Sequence, residues 1–289
     1  MKNLNYAKAE TCIVSWLKEY AKKAKKDGFV IGVSGGIDSA VVSTLAAKTG
    51  LSLMVLEMPI KQKSNEVGRA QKHIEWLKEN FDNVRSREID LNFNHINYAK
   101  SNVFDVLIKK INSSLGIVEN GETANLAEAN SRSRLRMLML YYAGTILNAL
   151  VLGTGNKIED FGVGFFTKYG DGGVDLSPVA DLTKTEVRGL GKYMGIIEEI
   201  ITAAPTDGLW DDGRSDEEQL KCTYVELEWA MEYVENAEKD ITSANSKLPD
   251  TDNLNDREIE VLEIYLSRHN AGQHKVNPIP VCYVGHLRD

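Results

Sequence analysis

Phe29-Val30-Ile31-Gly32-Val33 runs directly into Ser34-Gly35-Gly36-Ile37-Asp38-Ser39, and the stretch from Ser39 to Lys48 (SAVVSTLAAK) keeps helical apolar spacing. A short buried strand, a glycine loop and a helix in that order predict a βα unit whose turn gathers backbone amides. Glycines let successive N–H groups converge into an anion-binding concavity, and the helix N-terminus adds partial positive charge. Gly32, Val33, Ser34, Gly35, Gly36, Ile37, Asp38 and Ser39 are therefore the candidate phosphate loop, with hydroxyl donors at Ser34 and Ser39. A Walker A loop needs a lysine after its second glycine, and none stands here. The loop carries a carboxylate instead, Asp38. A carboxylate beside phosphates repels them unless a divalent cation lies between, and Mg²⁺ suits both kinds of oxygen. The plain alternative is a glycine turn with Asp38 as helix cap.

Outward from this loop, apolar spacing predicts a helix over 7–26 and strands over 29–33 and 51–58. It also predicts a helix over 65–80, a polar strand over 84–91, helices over 97–112 and 124–147, and a core strand over 149–153. Strands alternating with helices of this length mean parallel βαβ units. The expected fold is α/β, a doubly wound, mostly parallel sheet flanked by helices and Rossmann-like. Ligands in such sheets sit at the carboxyl ends of the strands. No composition break divides the 289 residues, so a single domain over 1–289 is expected. Residues 239–256 read as a surface loop.

Lys+Arg number 34 against 42 Asp+Glu, a net charge of −8, which argues against a nucleic-acid or anionic-membrane surface. Cys12, Cys222 and Cys282 are too far apart for a disulfide framework or a zinc ribbon, and a cytoplasmic location is the natural expectation. The uncharged run Met137–Asn156 reads as a helix end followed by a buried strand rather than a membrane span.

A second polar loop, Gly153-Thr154-Gly155-Asn156-Lys157-Ile158-Glu159-Asp160, follows the predicted strand at 149–153. Its acids and Asp38 lie beyond strands that can end at one sheet edge, where two carboxylates can hold Mg²⁺ against a triphosphate. SGGIDS after a hydrophobic strand resembles the loop of the N-type ATP pyrophosphatases, on an adenine nucleotide alpha hydrolase-like fold. GTGNK-x-E with GFFTKYGDGGVDLSPVADLTK (164–184), PTDGLWDDGRSDEEQL (205–220) and His274-Lys275 closely resembles the NAD synthetase family over most of the chain.

That resemblance implies roles. Gly32 to Ser39, Thr154, Lys184 and Thr206 match ATP contacts, and Asp38 and Glu159 match magnesium ligands. Arg134, Lys168, Asp175, His274 and Lys275 match positions that hold deamido-NAD. Asp38, Glu159 and Lys184 are the residues expected to carry catalysis. Two departures stand out: one residue more than the commoner spacing between Glu159 and Lys168, which makes Asp160 a rival ligand, and Val276 where an arginine is usual.

The same residues have ordinary readings. Arg132 and Arg136 share a helix face with Arg134 opposite, so the three cannot serve one site. Lys168 and Lys184 are either phosphate clamps or surface lysines. Asp175 either accepts from substrate or stabilises a turn. Neither His269 nor His274 has zinc spacing. Trp210 to Asp216 reads as a lid before a helix capped by Ser215 and Glu218.

The implied reaction is attack of the deamido-NAD carboxylate on the α-phosphorus of ATP, release of pyrophosphate, then displacement of AMP by ammonia. The 31 residues before the phosphate loop leave no room for a glutaminase domain, so free ammonia, or ammonia handed over by a separate protein, is the expected donor. The rivals are a relative that amidates another carboxylate and a non-catalytic adenine-nucleotide sensor. The apolar circumference of the helix at 124–147, with the family's habit, implies a homodimer.

Overall fold

The structure is a computed structural model that describes residues 4–60, 64–91, 122–206, 215–240 and 251–284, with 108, 110–111 and 113–114 between them. Most of the helix expected over 97–112, residues 210–214 of the expected lid and residues 241–250 of the expected surface loop lie outside the described residues.

The first helix, α1 (Tyr6–Lys23), is capped by Asn5, whose Oδ1 accepts from the Lys8 amide at 3.1 Å. It packs through Leu17 and Ala21, both buried, and leads into β1 (Gly28–Gly32). Then follow α2 (Ile37–Lys48), β2 (Ser52–Glu57), α3 (Ser64–Asn80) and β3 (Val84–Glu88). Next come α4 (Glu122–Ile146) and β4 (Ala149–Val151). Among the described residues the four strands are all parallel, as the alternating pattern predicts, and lie in the order β3-β2-β1-β4. Phe29 and Ile31 of β1 enter one apolar core with α1 and α2, while Val30 enters another with Met137 and Leu140 of α4. Burial on both faces explains why β1 and β2 read as near-continuous apolar runs. Each fully buried Leu, Ile or Phe contributes about 1.5–3 kcal/mol.

β1 and β2 match expectation to within one residue at each end, and the larger differences are in β3 and β4. β3 ends at Glu88 rather than at residue 91, and β4 has three residues rather than five. Beyond β4 the ladder passes to a later segment: Gly153 N–H donates to Leu176 O at 2.7 Å and Asp175 N–H to Val151 O at 3.0 Å. The 175–176 backbone thus extends the sheet edge with a single bridge, too short to register as a periodic strand.

The remaining elements are a π-helical turn at Ile158–Gly162, α5 (Lys184–Tyr193), α6 (Glu198–Ile201), α7 (Asp216–Leu220), α8 (Tyr224–Asp240) and α9 (Asp256–Val276). Ser215 and Glu218 form the expected capping box on α7. α8 and α9 close over the π-turn through a third core that includes Ile158, Leu227, Val261 and Tyr265. Among the described residues no helix is long and apolar enough to cross a membrane.

Candidate active site at the carboxyl ends of β1 and β4

The phosphate loop leaves β1 with Val33 N–H still bonded to Leu56 O at 3.0 Å. Gly35 has φ +80°, and a Cβ there would lie 2.5 Å from Glu66 O, so only glycine fits the turn. The Ser39 hydroxyl donates to Gly36 O and accepts from Ser34 N–H, closing the loop on itself. Gly36 is the N-cap of α2 and Asp38 is its second residue. The alternative of Asp38 as helix cap therefore does not hold, and its carboxylate is directed to tertiary partners.

Those partners come from across the sheet edge. Lys184, the first residue of α5 and 3% exposed, donates to Asp38 Oδ2 at 2.6 Å and to Glu159 Oε1 at 2.8 Å. Asn156, fully buried, donates to the other Asp38 oxygen at 3.2 Å and accepts from the amides of Ile158 and Glu159, both at 3.1 Å. The two acids from separate loops thus close on one cationic centre. Burial alone would lower the Lys184 pKa, but Asp38, Glu159 and Asp216 hold it well above its usual range. Burial raises the Glu159 carboxyl, the Lys184 ammonium opposes the rise, and Asp38 adds to it.

The turn at Ile158–Gly162 is π-helical, closed by Val163 N–H to Ile158 O at 2.9 Å, and a π-turn takes up one residue more than an α-turn. Glu159 shares Lys184 with Asp38, whereas the Asp160 carboxylate lies over Gly155, where a Cβ would collide with both of its oxygens. Burial and then Glu159, Asp171 and Asp38 push Asp160 up to about 8. Asp160 is thus a separate acid in the same cleft, not a third partner of Lys184.

One cleft is lined by Gly32, Val33, Ser34, Gly36, Ile37, Asp38, Ser39, Thr154, Glu159, Lys184 and Thr206, together with Asp160 and Asp216. A second is lined by Arg134, Lys168 and Lys275 with Tyr141, Tyr169 and Ile279. Met137 and Val174 line both, so the clefts adjoin across two apolar side chains. Arg134 donates to Lys168 O at 3.2 Å, while Arg132 is buried and pairs with Glu128, and Arg136 donates to Met58 O. The opposed faces expected for these arginines are present. Lys275 donates to Gly164 O and Phe166 O at 2.7 and 2.9 Å. His274 bonds Ala271 of its own helix and lines neither cleft. Asp175 also lies outside both. Its oxygens accept from Val151 N–H at 2.8 Å and from the Tyr141 hydroxyl at 3.1 Å, tying β4 to α4.

Three site residues have no counterpart in the sequence pattern. Asn156 is one polar residue of a polar loop, Asp216 is the last residue of the expected lid, and Tyr224 belongs to an acidic helix that nothing sets apart. The Tyr224 hydroxyl donates to Glu159 Oε1 at 2.6 Å and lies 3.1 Å from Asp216 Oδ2. Only the spacing of Ser215 and Glu218, which starts α7 beside the cleft, hints at Asp216.

Among the described residues no group of three His, Cys, Asp or Glu is arranged around a metal position. Asp38 and Glu159 nonetheless fit a hard divalent cation, because two carboxylate oxygens already converge on one cation and phosphates can complete the shell.

A parallel sheet with a Walker-lysine-free phosphate loop, two facing acids and a buried lysine at its carboxyl edge defines an ATP-using α/β enzyme class. The sequence model of the NAD synthase family matches residues 10–263, and the chain belongs to that family. It is 39% identical over 228 residues to the NH(3)-dependent NAD(+) synthetase of Carboxydothermus hydrogenoformans, covering 78% of this chain and 85% of that one. It is 32% identical over 286 residues to the protein of the same name from Methanosarcina acetivorans, covering 97% and 100%. The solved NMN synthetase of Francisella tularensis superposes with a TM-score of 0.75 at 27% identity, covering 97% of this chain and 99% of that one.

Proposed function

We propose that this chain amidates deamido-NAD to NAD at the expense of ATP, with ammonia as nitrogen donor and AMP and pyrophosphate as products. The observation that carries the reading is the adjacency of the two clefts across Met137 and Val174. An acid anchored by Arg134 and Lys168 in one can place its carboxylate beside the innermost phosphate of ATP in the other. The relatives named NH(3)-dependent NAD(+) synthetases support the substrate and the donor.

The loop amides from Ser34 to Ser39 cradle the triphosphate, with Thr154 and Thr206 at its edges. Asp38 and Glu159 would hold Mg²⁺, which would neutralise phosphate charge that the lysine-free loop cannot. Lys184 then turns its ammonium from the acids to the phosphates, where charge develops at the α-phosphorus. Two anions must be brought together, so positioning and charge compensation supply most of the rate, and no protein nucleophile is required. The carboxylate forms an acyl–phosphate bond as the bond to pyrophosphate breaks. Ammonia then adds to the acyl carbon, loses a proton, and AMP leaves.

One domain over residues 1–289, a cytoplasmic location and a homodimer belong to the same reading. Leu138, Tyr142 and Ile146 form an exposed stripe on α4 at four-residue spacing, which supports a second copy packing there. Light scattering tests it.

The assay supplies purified chain with ATP, Mg²⁺ and deamido-NAD, and compares ammonium with glutamine. NAD formation with ammonium alone is expected, and equal use of glutamine overturns the donor. The solved NMN synthetase makes nicotinate mononucleotide the second acid to offer. A higher kcat/KM for that mononucleotide overturns the dinucleotide.

A further inference from the structure

Tyr224 is 4% exposed, and its phenol reaches three members of the candidate site. The hydroxyl is 2.6 Å from Glu159 Oε1 and 3.1 Å from Asp216 Oδ2. The ring lies beneath the Lys184 ammonium, 4.7 Å from Nζ to the centroid. A phenol is neutral at physiological pH, and here its hydroxyl donates to the Glu159 carboxylate. We propose that Tyr224 is a positioning residue: it fixes the Glu159 carboxylate for the cation and gives the Lys184 ammonium a resting face.

The chemistry of the contacts supports this. A phenolic hydroxyl has one proton, and a bond to a carboxylate is among the stronger neutral-to-charged hydrogen bonds. Here that proton constrains one of the two oxygens of Glu159, the same oxygen that Lys184 holds. The carboxylate therefore keeps its orientation when the ammonium leaves it. The ring face offers a cation a favourable seat without a competing negative charge. Tyr224 opens α8 and Asp216 opens α7, so these two helices are tied to the acid from the π-turn by one side chain.

The inference rests on the proposed function for its kinetic arm only. The test is Tyr224→Phe in the full chain, which keeps the ring and removes the hydroxyl. Binding of Mn²⁺ is titrated by electron paramagnetic resonance in the presence of α,β-methylene-ATP, which has no bond to cleave at the reacting position. We expect Mn²⁺ affinity to fall about tenfold. In a Glu159→Gln background the same substitution should cost less than about twofold, because its effect runs through Glu159. Turnover should fall in kcat while KM for deamido-NAD stays put, and an unchanged number of Mn²⁺ sites per chain in the titration separates this from a general loss of folded protein. Should Tyr224→Phe melt below the assay temperature, Tyr224→Met takes its place with the same expectations. Unchanged Mn²⁺ affinity, or an equal loss in the wild-type and Glu159→Gln backgrounds, overturns the inference. Absence of NAD formation by the wild-type chain would instead overturn the proposed function and leave the Mn²⁺ result to decide this one.

Discussion

Replacing Lys184 by Met removes the charge on which the two acids converge while keeping most of the side-chain volume. Lys184 is 3% exposed, and its ammonium bonds Asp38 and Glu159 at 2.6 and 2.8 Å. Breaking one side of a buried ion pair typically costs about 3–5 kcal/mol, because the partner charge stays buried and uncompensated. For a chain of this size that is a fall in Tm of about 6–10 °C. The sign of the pH dependence follows from Glu159, whose carboxyl is already raised above 4.5 by burial while Lys184 opposes the rise. Without the ammonium its folded-state pKa climbs further. An acid with a raised folded pKa is stability-neutral below its unfolded value and destabilising as pH climbs through the folded one. The penalty should be largest near pH 8 and shrink toward pH 5. Differential scanning calorimetry at both pH values reads it directly. Loss of a preorganised charge at the reacting phosphorus should also slow AMP formation about 10²–10³-fold. A variant that melts within about 2 °C of wild type at pH 8 would refute the reasoning. So would a loss that is the same at pH 5, or AMP formation at an unchanged rate.

Asp160, pushed up to about 8 by burial and neighbouring acids, weakens the nucleotide-free fold as pH rises from 3.8 through 8. Asp160→Asn should raise Tm by about 5 °C or more at pH 9 and leave it unchanged at pH 4; thermal melts at the two pH values decide. His73 is fully buried, bonded to Ser43 Oγ at 2.9 Å, and its pKa is lowered to about 4. Its contribution is fully present above 6.5 and is lost as pH falls through 4, so His73→Gln should remove about 3 kcal/mol of acid sensitivity in urea titrations between those values. Gly35→Ala puts a Cβ against Glu66 O at φ +80°, and should weaken ATP binding more than about tenfold in calorimetric titration.

The legible parts of this chain are those governed by local rules. β1, its glycine turn and α2 follow from apolar continuity and the missing side chains of Gly35 and Gly36, and the parallel order follows from alternation. Asp38 stands out because a carboxylate is out of place in a phosphate loop. What stays hidden depends on long-range geometry. Tyr224 lies 65 residues from Glu159 in sequence, and nothing in its own helix marks it. Asn156 joins the two acids through bonds that only the folded turn reveals. Asp175 has both oxygens engaged by Val151 and Tyr141, contacts that its own loop does not announce. β3 and β4 are shorter than their sequence pattern because only isolated backbone bonds continue beyond them, from Ile89 N–H to Glu57 O and from Leu152 N–H to Val30 O.

The choice between Glu159 and Asp160 shows where spacing alone stops. Two adjacent acids cannot be told apart by counting, but the π-turn aims one at Lys184 and the other over Gly155. The π-turn leaves Glu159 opposite Asp38 across the Lys184 ammonium.

The central claim is that the organic acid itself attacks the innermost phosphorus of ATP. Deamido-NAD carrying ¹⁸O in both carboxylate oxygens, turned over with ATP and ammonium, tests it by mass spectrometry of the products. One labelled oxygen should appear in the phosphate of AMP and one in the carboxamide of NAD. AMP free of label while NAD is formed would contradict the account.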